Sequence, residues 1–167
     1  TEKTLQDLEF NTVLETIASR CNTDIGEAKA MAITPFKNKE ELLINLKQTS
    51  EYLSSFSNNN AIPNHGFENI NYELKFLAIE DSFLEVGSFK KIANLSETAI
   101  ALIQFLKKFE DYYPNLYQKA SQIDIVKLII QRIDEVVDKF GIIKDNASPD
   151  LVDIRRNINV VRGKINQ

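Results

Sequence analysis

The side chains in this sequence that could do chemistry are few, and their spacing limits what they can do. Four pairs of adjacent acids, Glu40-Glu41, Glu80-Asp81, Glu110-Asp111 and Asp134-Glu135, have the donor type needed to hold a metal ion or exchange protons. Neighbouring residues on a helix point to different sides, and each pair lies among polar residues, so these pairs read as solvated faces. His65 is the single histidine and sits in a polar loop, whereas a zinc site needs three or four convergent ligands. Cys21 is the single cysteine. It closes an apolar stripe with no histidine near it in sequence, which suits a small core residue better than a nucleophile. The phosphate-cradling pattern G-x-x-x-x-G-K-[ST] is absent, as are G-x-S-x-G and H-E-x-x-H. No residue is assigned a catalytic, cofactor-binding or metal-binding role.

The remaining chemistry is cationic and lies near the end of the chain. Arg155, Arg156, Arg162 and Lys164 have the charge to contact nucleic-acid phosphate, or to line a helix that packs against a partner. Asp150 and Asp153 offset them and no aromatic residues interleave them, so a solvated face is the simpler reading and base stacking is not expected. The charge of the chain is uneven. Residues 1–85 hold 7 basic and 14 acidic side chains, and residues 86–167 hold 13 and 10. An acidic first half argues against nucleic-acid binding by the whole domain, because phosphate needs clustered cation.

The elements that must position these residues follow from length and patterning. The chain has 167 residues, the size of one domain, with 43% hydrophobic and 26% charged residues. Five Gly and four Pro favour long uninterrupted elements. No apolar run approaches a membrane span, no leader opens the chain, and a lone cysteine fits a reducing cytoplasm. The chain opens at Thr1 without methionine, and its helical pattern still runs at Gln167, so it is expected to be an excerpt of a longer protein.

Hydrophobic periodicity predicts six or seven helices and essentially no sheet: an all-α, irregular multi-helix bundle ending in a long lever helix. Leu5, Leu8, Val13, Leu14, Ile17, Ala18 and Cys21 form the first stripe, with a break near Phe10 where Asn11 can cap a fresh start. Thr23 or Asp24 caps a short second helix that stops at Thr34-Pro35. Asn38, with Glu41 three residues on, opens a third helix whose inner face is Leu42, Leu43, Leu46, Leu53 and Phe56. A loop rich in Ser, Asn and Pro follows. Ile70, Leu74 and Leu77 mark a short helix, and Phe89 to Phe109 a long one ending before Pro114. Residues 115–121 make little more than a helical turn. Ile125, Leu128, Ile129, Ile133 and Val136 mark a further helix, closed by Phe140-Gly141 with the glycine left-handed.

The stretch 138–167 organises the rest. Asp145 and Asn146 suit a turn, Ser148 is a strong N-cap, Pro149 an ideal first helical residue, and Asp150 complements the positive helix end. The last helix then carries Leu151, Val152, Ile154, Ile158, Val161 and Ile165. Gly141, Asp145, Ser148, Pro149, Leu151, Ile154 and Arg155 are the expected joint between the two final helices. The domain boundary is placed there: 1–147 as the helical core and 148–167 as the start of a lever helix.

The pattern D-x-x-G-x-x-x-D-x-A-S-x-x-L-x-x-I-R, carried by Asp138, Gly141, Asp145, Ala147, Ser148, Leu151, Ile154 and Arg155, resembles the bacterial MutS-two subfamily of the DNA mismatch repair MutS family. Leu8-Glu9-Phe10, Thr23, Gly26, Pro35 and the Pro63 to Gly66 loop agree with it, so the resemblance spans essentially the whole chain. Glu80-Asp81-Ser82 departs from it, standing where relatives often have a glycine. The resemblance implies a parent that begins with a helical core and continues into lever helices and a clamp. A dimerising P-loop ATPase domain, using ATP and magnesium, and a small nuclease domain then follow. It implies a DNA-structure-responsive ATPase that restrains homologous recombination, with some members acting on stalled ribosomes. Its partners would be the remainder of its own chain, a second copy, DNA and the ribosome, with no membrane. On this mapping the present chain is a non-catalytic relay of nucleotide-driven motion. The alternative from the residues alone is a generic helical adaptor that binds protein through a groove between helices.

Overall fold

The computed structural model describes residues 2–124 and 126–165. Among these are nine α-helices: α1 (Glu2–Asp7), α2 (Phe10–Ala18), α3 (Asp24–Met31), α4 (Lys39–Ser55), α5 (Asn71–Leu77), α6 (Val86–Lys108), α7 (Pro114–Ala120), α8 (Lys127–Val136) and α9 (Pro149–Ile165). Among the described residues the β pairing is a single antiparallel bridge, Val137 with Ile143. The fold is all-α. The helix count exceeds the expected six or seven because the first stripe is two helices and the segment after Pro114 is a full one.

Local chemistry accounts for most boundaries. Glu9 takes a left-handed conformation, φ 50°, and divides α1 from α2. The cap position is therefore Glu9 and not Asn11, since the Thr12 and Val13 amides bond the Glu9 carbonyl. Thr23 accepts from the Gly26 amide at 3.0 Å to start α3. Asn38 accepts from the Glu40 amide at 2.7 Å to start α4. Pro114 is the first residue of α7, where its missing N–H costs no helical bond. α8 ends at Val136, earlier than the Phe140-Gly141 closure expected from sequence, because Val137 is extended and enters the bridge to Ile143. Ile125, expected to open the α8 stripe, lies outside the described residues, as does Gln167.

The chain divides into two compact units. Thr1–Asn69 with Thr98–Ile125 form the first. There α2 packs on α3 and on α1, and α4 packs on α7. Leu106, Tyr113 and Ala120 are buried together, with Ile103, Phe105, Phe109, Leu116 and Tyr117 against them. The Tyr113 hydroxyl, fully buried, donates to the Asn60 carbonyl at 2.7 Å. Glu51 of α4 caps α7: one carboxylate oxygen accepts from the Asn115 amide at 3.0 Å, the other from the Leu116 amide at 2.9 Å.

Ile70–Glu97 with Val126–Gln167 form the second unit. Its buried apolar residues include Ile70, Ile92, Ala93 and Val137. Much of the expected core is not buried in either unit. Leu42, Leu43, Leu46, Leu53 and Phe56, expected as the inner face of α4, are all exposed, Phe56 at 71%. Leu128, Ile129 and Val136 of α8 are likewise exposed. Periodicity marks which face of a helix is apolar, but it does not supply the surface that covers that face.

Candidate functional site

Within the second unit, the connection from α8 to α9 gathers most of the residues singled out by sequence. It is built as a tight turn followed by a capped helix. Asp138 organises the turn. One of its carboxylate oxygens accepts from the Phe140 and Ile142 amides, each at 2.9 Å. Its own amide bonds the Ile142 carbonyl at 2.8 Å, and the Lys144 amide bonds the Val136 carbonyl at 2.8 Å, closing the bridge. The Ile142 N–H, a second bond from Phe140 and the charges of Lys144 and Lys90 together hold the Asp138 carboxyl below the ordinary 3.8, against an opposing desolvation.

Gly141 completes the turn at φ +79°, which only glycine adopts without strain, and a Cβ there would stand 3.4 Å from the Lys90 side chain. The left-handed conformation expected of it is present. Its place is the turn of the bridge, five residues beyond the end of the helix it was expected to close.

Two lysines brace the turn from outside. Lys90 of α6 donates to the Lys139 carbonyl at 3.1 Å. Lys144 donates to the Asp134 carbonyl in the last turn of α8, where a cation also complements the helix dipole. These residues line a cleft of about 250 Å³ with Asn94, Glu97 and Ile133. Its charges are mutually compensated: three lysines face three acids, and both bracing lysines are bonded to carbonyls.

The entry to α9 follows the expected pattern. The Ser148 hydroxyl accepts from the Leu151 amide at 3.2 Å, and Pro149 is the first helical residue. Arg155, nearly two turns into α9, reaches back over the connection. It pairs with Asp145 and donates to the Ile143 carbonyl at 3.3 Å. The structure therefore brings Asp145, Ser148 and Arg155 together around the segment that joins the helices, with Gly141 in the turn before it. Asp138, Lys90 and Lys144 were not assigned to the joint from sequence. Asp138 lay inside the quoted pattern, but Lys90 lies 49 residues from its bonding partner.

The cations of α9 do not form one face. At roughly 100° per residue, Arg155 and Arg162 lie on the same side, Arg156 is a quarter turn away and Lys164 is opposite. Among the described residues no ion-pair partner falls to Arg156, Arg162 or Lys164. The apolar residues do form a face. Leu151, Ile154, Ile158, Val161 and Ile165 recur at alternating spacings of three and four, the a/d seam of a helix made to pack on another helix. Ile154, Ile158, Val161 and Ile165 are exposed, Ile165 at 76%.

Elsewhere the chemistry-bearing residues are dispersed. Among the described residues no group of three or more His, Cys, Asp or Glu side chains is placed to hold a metal ion. His65 hydrogen-bonds the Tyr52 hydroxyl at 3.3 Å and the Pro63 carbonyl at 3.1 Å. Cys21 is partly buried, with its thiol toward the Ile17 carbonyl.

Comparison with known proteins adds a relationship to this geometry. No protein-family model matches the chain. A curated protein of Alkaliphilus oremlandii named Endonuclease MutS2 is 29% identical over 171 residues, covering 99% of this chain and 22% of the relative. Proteins of the same name from Symbiobacterium thermophilum and Staphylococcus aureus are 25% and 26% identical, each also covering 99% of this chain. The chain is related to the MutS2 proteins. It spans about one fifth of the length of the MutS2 relatives it matches, 21–22%. The α8–α9 joint falls inside the stretch shared with MutS2, since the matches run through essentially the whole chain.

Proposed function

We propose that this chain is a non-catalytic helical core element of a MutS2-like protein, and that the α8–α9 joint sets the direction in which α9 leaves as a lever. The observation that carries this reading is a contrast within α9. Its entry is fixed by Ser148, Asp145, Arg155 and the braced turn, while its 3–4 apolar seam lies exposed. A rigid entry joined to an uncovered seam suits an element that passes motion along, because a helix moves as a unit.

On this reading the ATP-hydrolysing and endonuclease activities belong to other parts of a longer, dimeric parent protein working in the cytoplasm. The parent senses DNA structure, restrains recombination or acts on stalled ribosomes. The exposed apolar face of α4 also favours a second reading, a helical adaptor for another protein.

The test uses both this chain and a full-length MutS2 relative. The chain alone should hydrolyse no ATP and bind DNA at most weakly, with binding lost as salt rises. Substituting the residues equivalent to Ser148 and Arg155 with alanine in the full-length relative should leave ATP binding intact and reduce the DNA-dependent change in ATP turnover. Tight, salt-resistant DNA binding by this chain, or unchanged coupling in the substituted relative, would contradict the proposal.

A further inference from the structure

A second feature of the same unit lies between α5 and α6. The connection, residues 78–85, is held in a fixed shape. Asp81 is left-handed at φ 59°, the Ser82 amide bonds the Ile79 carbonyl at 3.3 Å, and the Ser82 hydroxyl donates to the Phe76 carbonyl. This loop holds Phe83 83% exposed, with Tyr72 beside it 65% exposed. With Phe76, Leu84, Glu85 and Ser88 they line an open cavity of about 340 Å³. The Tyr72 and Phe76 ring centroids are 5.1 Å apart.

The charge on the wall and loop of this cavity is negative, while Lys75 of α5 and Lys90 and Lys91 of α6 are not among its lining residues. Glu85 is the charged residue of its wall, and residues 78–85 hold three acids and no base. Behind the wall, the Ser88 hydroxyl donates to Glu73 at 3.4 Å. Glu73 is only 4% exposed. Lys91 stands 3.6 Å from the same Glu73 oxygen, and among the described residues the other oxygen has no hydrogen-bond partner. Aromatic faces attract cations and carboxylates pair with them, so both surfaces of the cavity select the same charge. A planar guanidinium suits it better than an ammonium, since it can lie flat on rings while bonding a carboxylate at its edge. Phosphate is disfavoured by the same acids.

We propose that this cavity docks an arginine side chain presented by a protein partner, with Tyr72, Phe76 and Phe83 against the guanidinium and Glu85 pairing with it. The aliphatic part of the arginine and its apolar neighbours would cover Leu84 and the ring of Phe83. The experiment titrates the whole 167-residue chain, labelled with nitrogen-15, with the peptide acetyl-Leu-Arg-Leu-Arg-Leu-amide and with its citrulline counterpart. The expected result is saturable amide shifts centred on residues 72–76 and 83–88, and binding about fivefold or more weaker for citrulline. Phe83→Ala and Glu85→Gln should each weaken binding to a similar degree without lowering the melting temperature, since both side chains are exposed. Equal binding of the citrulline peptide, shifts centred elsewhere, or variants that bind as before would overturn the proposal. So would saturation of these residues by oligo-dT, by anionic vesicles, or by the chain itself on raising its concentration.

Discussion

At the residue scale the joint is held by a few side chains, each doing what its chemistry allows. Ser148→Ala removes one acceptor from the first turn of α9 and should cost about 1 kcal/mol of stability by urea denaturation. Gly141→Ala places a Cβ on a left-handed residue and should cost about 1 kcal/mol or more by the same measurement. Asp138 gives the pH dependence a definite sign. Its folded carboxyl is held below the ordinary 3.8, so the stability it adds is present at neutral pH and lost as pH falls through the depressed value. Asp138→Asn should therefore flatten the loss of stability below about pH 4 in melts recorded across that range. Some of these residues were legible in the sequence and others were not. Ser148-Pro149 declares a helix start by residue type alone, and Thr23 and Asn38 do so for α3 and α4. Arg155 was legible as a cation and as a member of the joint, but not by what it bonds. Its pairing with Asp145 and with the Ile143 carbonyl depends on how the chain folds back, which residue type does not encode.

At the element scale the helices form where periodicity places them, and their ends follow local chemistry. The errors occur where a distant contact decides the outcome. α8 stops at Val136 because Val137 pairs with Ile143, a choice between helix and bridge that helical periodicity alone does not settle. The segment after Pro114 becomes a complete helix because Glu51, more than sixty residues earlier, supplies the acceptors for its first amides. Glu51→Gln should therefore lower stability by about 1–2 kcal/mol, read by denaturation, through weaker bonds to the α7 amides. The left-handed residue at Asp81 has a similar lesson. Asp81 takes φ 59°, a conformation that glycine adopts without strain and that residue type at 80–82 does not announce.

At the scale of the whole molecule, the apolar faces left in water carry the functional argument. The seam of α9 and the apolar residues of α4 and α8 are exposed in a chain that spans about one fifth of its MutS2 relatives. Sequence located those faces and read the α9 stripe as a helix leaving the core, but it took the α4 stripe for an inner face, because amphipathicity records a need for burial without naming what buries it. Among the described residues no helix is long and apolar enough to cross a membrane. The central claim is that the joint fixes how α9 leaves α8. It is tested most directly by pulsed electron paramagnetic resonance between spin labels at Gln131 of α8 and Asn159 of α9, in a Cys21→Ser background. A single narrow distance distribution is expected, broadening when Ser148 and Arg155 are both replaced by alanine. A distribution already broad in the parent sequence, or one that the double substitution leaves unchanged, would contradict the account.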